Sequence, residues 1–279
     1  MKERLQRILA PLVVLIVLLL LWEGLVTLFD VQQFLLPKPS AIVSNLITRD
    51  ASATGEQLFR LGDGLVFYRG AGLNPILAAA RFTLKEALGG LAMGVTTGLL
   101  VALATARWLA LSEALLPFAI AVNSMPIIAF APIMNNWFGI DNPFSKMAIV
   151  ALMVFFPIMI NTTRGLMLVD ANSLELMRSY AASEFEILRR LRIPNALPFI
   201  FSGLKVAASL SMIGAIVGEY FGGPRIALGV YITQEASMFR FSSAWAAIII
   251  ACVIGISLYL IIVLLERLCM PWHSSFRSS

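Results

Sequence analysis

Histidine, cysteine and charge are all scarce in this chain of 279 residues. It has one histidine, His273, two cysteines, Cys252 and Cys269, and only 13% Asp, Glu, Lys and Arg. The cysteines fall in and just after the last apolar run, so neither a disulfide framework nor a His/Cys metal site is available. An intramembrane enzyme would need a nucleophile beside a base. His273 lies outside the apolar runs, and no Ser/His or Asp/Asp arrangement is apparent. The pattern G-x-x-x-x-G-K-[ST] does not occur, so the loop that cradles nucleotide phosphates in P-loop ATPases is missing. The net charge of +5 is not laid out as a basic stripe interleaved with aromatics, which argues against a nucleic-acid partner. Basic ends on membrane spans account for the excess.

What is abundant is apolar length. Hydrophobic residues make up 59% of the chain, and the mean hydropathy is +0.87. Apolar runs too long for soluble helices recur at 8–29, 76–106, 111–134, 144–168, 196–221 and 244–265. Lipid offers no partner for backbone N–H and C=O groups, so each run is expected to be helical. The expected fold is an all-α membrane protein of about six transmembrane helices, residues 1–279 forming a single membrane domain. The first run follows Lys2, Arg4 and Arg7 and is broken only by Glu23. It exceeds the apolar region of a signal peptide and has no small-residue cleavage site, so it reads as a retained span.

Basic residues orient the spans. With the amino end in the cytoplasm, Lys2, Arg4, Arg7, Arg107, Arg164, Arg178, Arg189, Arg190, Arg192, Arg267 and Arg277 lie inside. Lys38, Arg49, Arg60, Arg69, Lys146, Arg225 and Arg240 then lie outside, mostly in one long loop that the rule weighs lightly. Both termini are expected to be cytoplasmic.

The longest cytoplasmic loop on this reading carries RSYAASEFEILRRLRIPNALPFIF, residues 178–201. Ser183 followed by Glu186 matches a capping box, and Pro194 is expected to end the helix that starts there. Phe185, Leu188 and Leu191 or Arg192 recur at helical spacing, giving a short amphipathic rod flanked by Arg189 and Arg190. Such a rod can lie among lipid headgroups, or it can dock on a cytoplasmic partner.

The segment ELMRSYAASEFEILRRLRIP, from Glu175 to Pro194, resembles the "EAA" loop of the membrane-spanning subunits of ATP-binding-cassette (ABC) importers. LLPKPSAI from Leu35, PIIAFAPIMNNWFGI from Pro126 and the closing LLERLCMPW are similar to the branch that imports nitrate, sulfonates, taurine and pyrimidine vitamin precursors. The resemblance covers nearly the whole chain. It implies an inner-membrane permease subunit that pairs with a second permease copy, is surrounded by lipid and receives solute from an extracytoplasmic binding protein. It implies separate ATPase subunits, which would carry the ATP and Mg. By the same resemblance Glu175, Arg178, Ala181, Phe185, Leu188, Arg189, Arg192 and Pro194 form the ATPase-coupling segment. Leu176 and Met177 stand where the family has an alanine pair, and Ala181 where it has glycine. In that left-handed turn an alanine costs about 1 kcal/mol.

Elsewhere, Gly90, Gly94 and Gly98 form a small-residue face on the second span that invites close helix packing. Asn123 and Ser124, then Asn135, Asn136 and Trp137, sit around a proline-broken third span and are candidates for a water-filled path. Trp137 as an interface anchor, with the amides as helix caps, is the plainer reading. Ser209, Ser211 and Glu219 on the fifth span are further path candidates, and Glu86 with Lys85 reads as an outer-end pair or a snorkelling carboxylate. The Asn-Asn-Trp block leans towards a pyrimidine-type solute, with sulfonate, taurine or nitrate next. The alternative of a secondary, ion-coupled transporter would need coupling-ion carboxylates near mid-membrane and inverted repeats, neither of which is visible.

Overall fold

The structure is a computed structural model, and it describes residues 2–32, 35–47, 57–61, 65–68, 73–107 and 125–271, with single positions at 114, 117 and 121. Among these residues the chain is mostly helical. Four stretches are long and apolar enough to cross a membrane: Pro75–Ala106, Pro143–Met167, Glu184–Tyr220 and Phe241–Cys269. Shorter apolar helical stretches run at Val13–Leu28 and Ile127–Phe138. Most of the expected third span, 111–134, falls outside the described residues up to position 124.

The chain divides into two compact units, residues 1–80 with 230–251 and residues 81–229 with 252–279. The first contains α1 (Lys2–Leu28), α2 (Pro39–Ile47) and a hairpin of β1 (Gln57–Leu61) and β2 (Leu65–Tyr68). The antiparallel hairpin, with Leu61 opposite Leu65, departs from an all-helical chain and occupies part of the glycine-rich segment before the second span. Glu23, the one acid in the first apolar run, has a local task. Its carboxylate accepts from Ser40 N at 3.0 Å and from Ser40 Oγ at 2.7 Å, satisfying the open N-terminus of α2. Trp22 stacks at a tilt on Trp245, ring centroids 5.2 Å apart, and Asn45 donates to Ser243 Oγ at 3.3 Å.

The second unit is built on α3 (Leu73–Arg107, from residue 81 onward), α4 (Ala131–Phe138), α5 (Pro143–Met167), α6 (Ala171–Ser179), α7 (Glu184–Ile187) and α8 (Ile193–Tyr220). It also holds the start of α9 (Leu228–Ser237) and the later part of α10 (Phe241–Cys269). The glycine face of α3 lies directly on α5. A Cβ on Gly90 would stand 2.6 Å from the Met147 carbonyl oxygen, one on Gly94 2.7 Å from that of Ala151, and one on Gly98 3.0 Å from that of Phe155. Only a hydrogen side chain leaves room for that row of backbone oxygens four residues apart. Further along, Ala102 packs with Phe156 and Met159, and the Thr105 and Thr163 hydroxyls meet at 3.1 Å. On its other side α5 packs against α8.

Candidate functional site

The segment joining α5 to α8 is fixed by end-capping at every turn. Asp170 opens α6, its carboxylate accepting from Ser173 N and Ser173 Oγ at 2.9 Å each. Those two bonds favour the ionised form and hold the Asp170 carboxyl below its ordinary range. α6 closes with Ala182 N donating to Met177 O at 3.0 Å and Ala181 N to Arg178 O at 2.9 Å, the paired bonds of a Schellman turn. That geometry needs a left-handed residue, and Ala181 supplies it with φ of 50°. α7 opens with the expected capping box. Ser183 Oγ accepts from Glu186 N at 3.3 Å, and Glu186 Oε2 accepts from Ser183 N at 2.9 Å.

The helix that starts at Ser183 does not stop at Pro194. Residues 188–192 form a π turn, in which Ile193 N bonds back to Leu188 O, and the chain then continues into α8 with Pro194 in its first turn. The i→i+5 spacing shifts the carbonyls that would otherwise meet the proline ring, so Ile193 keeps helical angles of φ −65° and ψ −49°. The expected free rod is therefore the first part of a 37-residue helix, Glu184–Tyr220.

On this stem, Ile187 is the buried anchor at 1% exposure, a residue the sequence pattern did not single out. Phe185 is 69% exposed and Tyr180 78% exposed. Glu175, Arg178, Ala181, Arg189 and Arg190 are also exposed, whereas Leu188 and Arg192 are half-buried. Ala106, Glu184, Phe185, Leu188 and Arg192 line an open hollow beside the stem. Arg192 does not point outward with the other arginines. It donates to Ala106 O at 2.9 Å, a backbone carbonyl in the last described turn of α3. Asn195 does the same for α5, donating to Gly165 O at 3.0 Å and Leu168 O at 2.8 Å.

The candidate path residues within the described stretches differ in their surroundings. Asn123 and Ser124 lie outside the described residues. Asn135 is buried, and its amide donates to Phe221 O at 3.4 Å and Gly222 O at 3.3 Å, so it braces the end of α8. Asn136 and Trp137 are exposed. Ser209 is exposed, but Ser211, two residues on and so on the opposite side of the helix, is buried and bonds its own helix at Ala208 O, 2.8 Å away. Glu219 is buried at 1% exposure.

Two other charged residues depart from expectation. Glu86 is fully buried, while Lys85 is exposed, so the two do not form an outer-end pair. Lys146, counted among the charges of the outer surface, is also fully buried, with its ammonium donating to the Ile140 carbonyl. The sequence reading also overlooked an ion pair between Lys205 of α8 and Glu266 of α10, at 3.0 Å.

Long apolar helices meeting over small residues, with a polar, fully capped stem between two of them, define a polytopic membrane subunit. The chain belongs to the family of binding-protein-dependent transport system inner membrane components, whose pattern matches residues 94–269. It is 31% identical to the riboflavin transport system permease protein RibX of Chloroflexus aurantiacus, over 94% of this chain and 90% of that protein. It is 30% identical to the formylaminopyrimidine transport permease protein ThiX of Halalkalibacterium halodurans, over 97% of this chain and 98% of that protein. An amino acid ABC transporter crystal structure shares the fold with a TM-score of 0.56 at 17% identity, covering 69% of this chain and 93% of that one. The chain is thus an ABC transport permease subunit rather than an enzyme.

Proposed function

We propose that this chain forms the translocation path of an ABC importer for a small polar solute and is driven by separate ATPase subunits docking on the stem between α5 and α8. The observation that carries the coupling role is the stem itself: a capped element with exposed Phe185, Arg189 and Arg190, whose Arg192 and Asn195 bond to the last described turn of α3 and to the end of α5. An exposed aromatic beside arginines suits a protein partner. Six spans with both termini in the cytoplasm, an extracytoplasmic binding protein and a second permease copy complete the reading. A secondary transporter is not favoured, given the family.

For the solute, the relatives named for riboflavin and formylaminopyrimidine support a nitrogen heterocycle of the pyrimidine type. Exposed Asn136 and Trp137 suit it, since an amide can pair with ring nitrogens and an indole can stack on the ring. Truncating an interface anchor often costs more than about 2 kcal/mol. Phe185→Ala is therefore expected to release the ATPase from detergent-purified complex and abolish uptake while the permease still inserts. Full ATPase retention with normal uptake refutes the docking role.

A further inference from the structure

Three ionisable side chains from three helices lie together inside the second unit, each 1% exposed or less: Glu219 of α8, Glu86 of α3, one turn on from the Thr83 that bonds Glu219, and Lys146 of α5, whose Cγ lies 3.3 Å from where a Cβ on Gly218 would stand. Glu219 is fully provided with donors. Its Oε1 accepts from Thr83 Oγ1 at 2.6 Å and its Oε2 from Gly229 N at 2.7 Å. Thr83 Oγ1 in turn accepts from Leu228 N at 2.9 Å, so the first two N–H groups of α9 are held by α3 and α8 together. Glu86 has no such provision: neither of its carboxyl oxygens has a protein donor, although it adjoins Glu219. As carboxylates the two would face each other as acceptors only.

The charges decide what stands between them. Two carboxylates and one ammonium leave one negative charge without a counter-ion in a buried site, an arrangement proteins avoid. Among the described residues Lys146 is the only buried cation. Arg81 and Lys85, on the same helix as Glu86, and Arg225, just before α9, are exposed, and Asp141, which also acts on Lys146, is an exposed acid. We propose that Glu86 and Glu219 hold a single proton between them, carried on Glu86, which donates to the Glu219 carboxylate while Lys146 balances the remaining charge. The chain thereby contains a proton site that clasps α3, α5, α8 and the start of α9. Water admitted between α3 and α8 hydrates Glu86, frees its proton and leaves two carboxylates repelling each other, so parting these helices and releasing the proton are one event. This does not depend on the transport reading.

Infrared spectroscopy of the purified full chain at neutral pH tests it. The wild type is expected to show a protonated-carboxyl C=O band that shifts on 13C-glutamate labelling. Glu86→Gln, whose amide still donates to Glu219, is expected to fold and lose the band. Glu219→Gln loses it too, because Glu86 then ionises against Lys146. Lys146→Met, which removes the buried counter-ion, is expected to about double the band. Absence of a glutamate carboxyl band in the wild type overturns the proposal without any variant. A band that persists in whichever of Glu86→Gln and Glu219→Gln folds overturns it as well.

Discussion

Arg192 Nη1 donates to the carbonyl oxygen of Ala106 at 2.9 Å, joining the stem before α8 to α3 across 86 positions of sequence. The bond does two things. It gives a backbone carbonyl in the last described turn of α3 a charged donor from another helix. It also makes Arg192 a strut, so that displacing the stem moves α3 with it. Arg189 and Arg190, exposed on the same turn, have no such attachment to α3.

Separating docking from transmission follows from that geometry. A hydrogen bond to a charged group is worth about 1.5–3 kcal/mol, so Arg192→Ala is expected to lower coupled uptake by about tenfold or more. The ATPase should remain bound, because Phe185 and Arg189 are untouched. ATPase co-purification measured beside uptake gives the answer, and loss of both together would return Arg192 to the docking face.

Ala181 adopts a left-handed backbone that glycine takes without strain. Ala181→Gly is expected to stabilise the stem by about 0.5–1 kcal/mol, and Ala181→Val, β-branched at positive φ, to destabilise it by more. Slower amide exchange at Ala182, whose N–H closes the turn on Met177 O, reports the gain. Faster exchange in the glycine variant contradicts the strain argument.

The contrast between Ala181 and Pro194 shows where sequence was enough and where it was not. Caps and turns are local, so the Ser183 and Glu186 spacing already specifies the bonds found between them. Helix extents were legible for the same reason: runs expected at 144–168 and 196–221 appear as Pro143–Met167 and Ile193–Tyr220. Pro194 misled because its local bias against helix is overridden by the π turn before it, a feature with no residue signature of its own. Lys146 and Glu86 misled more deeply. Charge near a span end normally means water, and nothing in either helix alone reveals that α3, α5 and α8 place their charges in one interior. Asn195 carried a faint signal as an amide one residue after a proline at a helix start, but its two acceptors lie 27 and 30 residues earlier.

Gly94 and Gly24 make a controlled pair for the packing of α3 on α5. A methyl at Gly94 would meet the Ala151 oxygen at 2.7 Å and Val154 Cβ at 2.9 Å, whereas one at Gly24 meets nothing within 4 Å. Gly94→Ala is expected to destabilise the chain by about 1–3 kcal/mol through overpacking. Gly24→Ala, in a helix interior, is expected to be neutral or stabilising by up to about 1 kcal/mol. Thermal unfolding in detergent distinguishes them, and equal effects would mean that α3 and α5 are not in close contact.

Asn135 and Trp137 belong to the same short helix yet face different surroundings, and their variants should fail differently. Asn135 is buried and holds the Phe221 and Gly222 carbonyls. Asn135→Ala leaves both without this donor, at about 1–3 kcal/mol, and is expected to reduce the yield of folded permease. Trp137 is 67% exposed and braces nothing among the described residues, so Trp137→Ala should leave yield and basal ATPase activity unchanged. If its indole stacks on a heterocyclic solute, uptake falls several-fold through the apparent affinity, and a formylaminopyrimidine is the probe to use. Uptake equal to wild type across the concentration range would leave Trp137 as an anchor at the membrane interface, which is where an amphipathic ring rests when no ligand claims it.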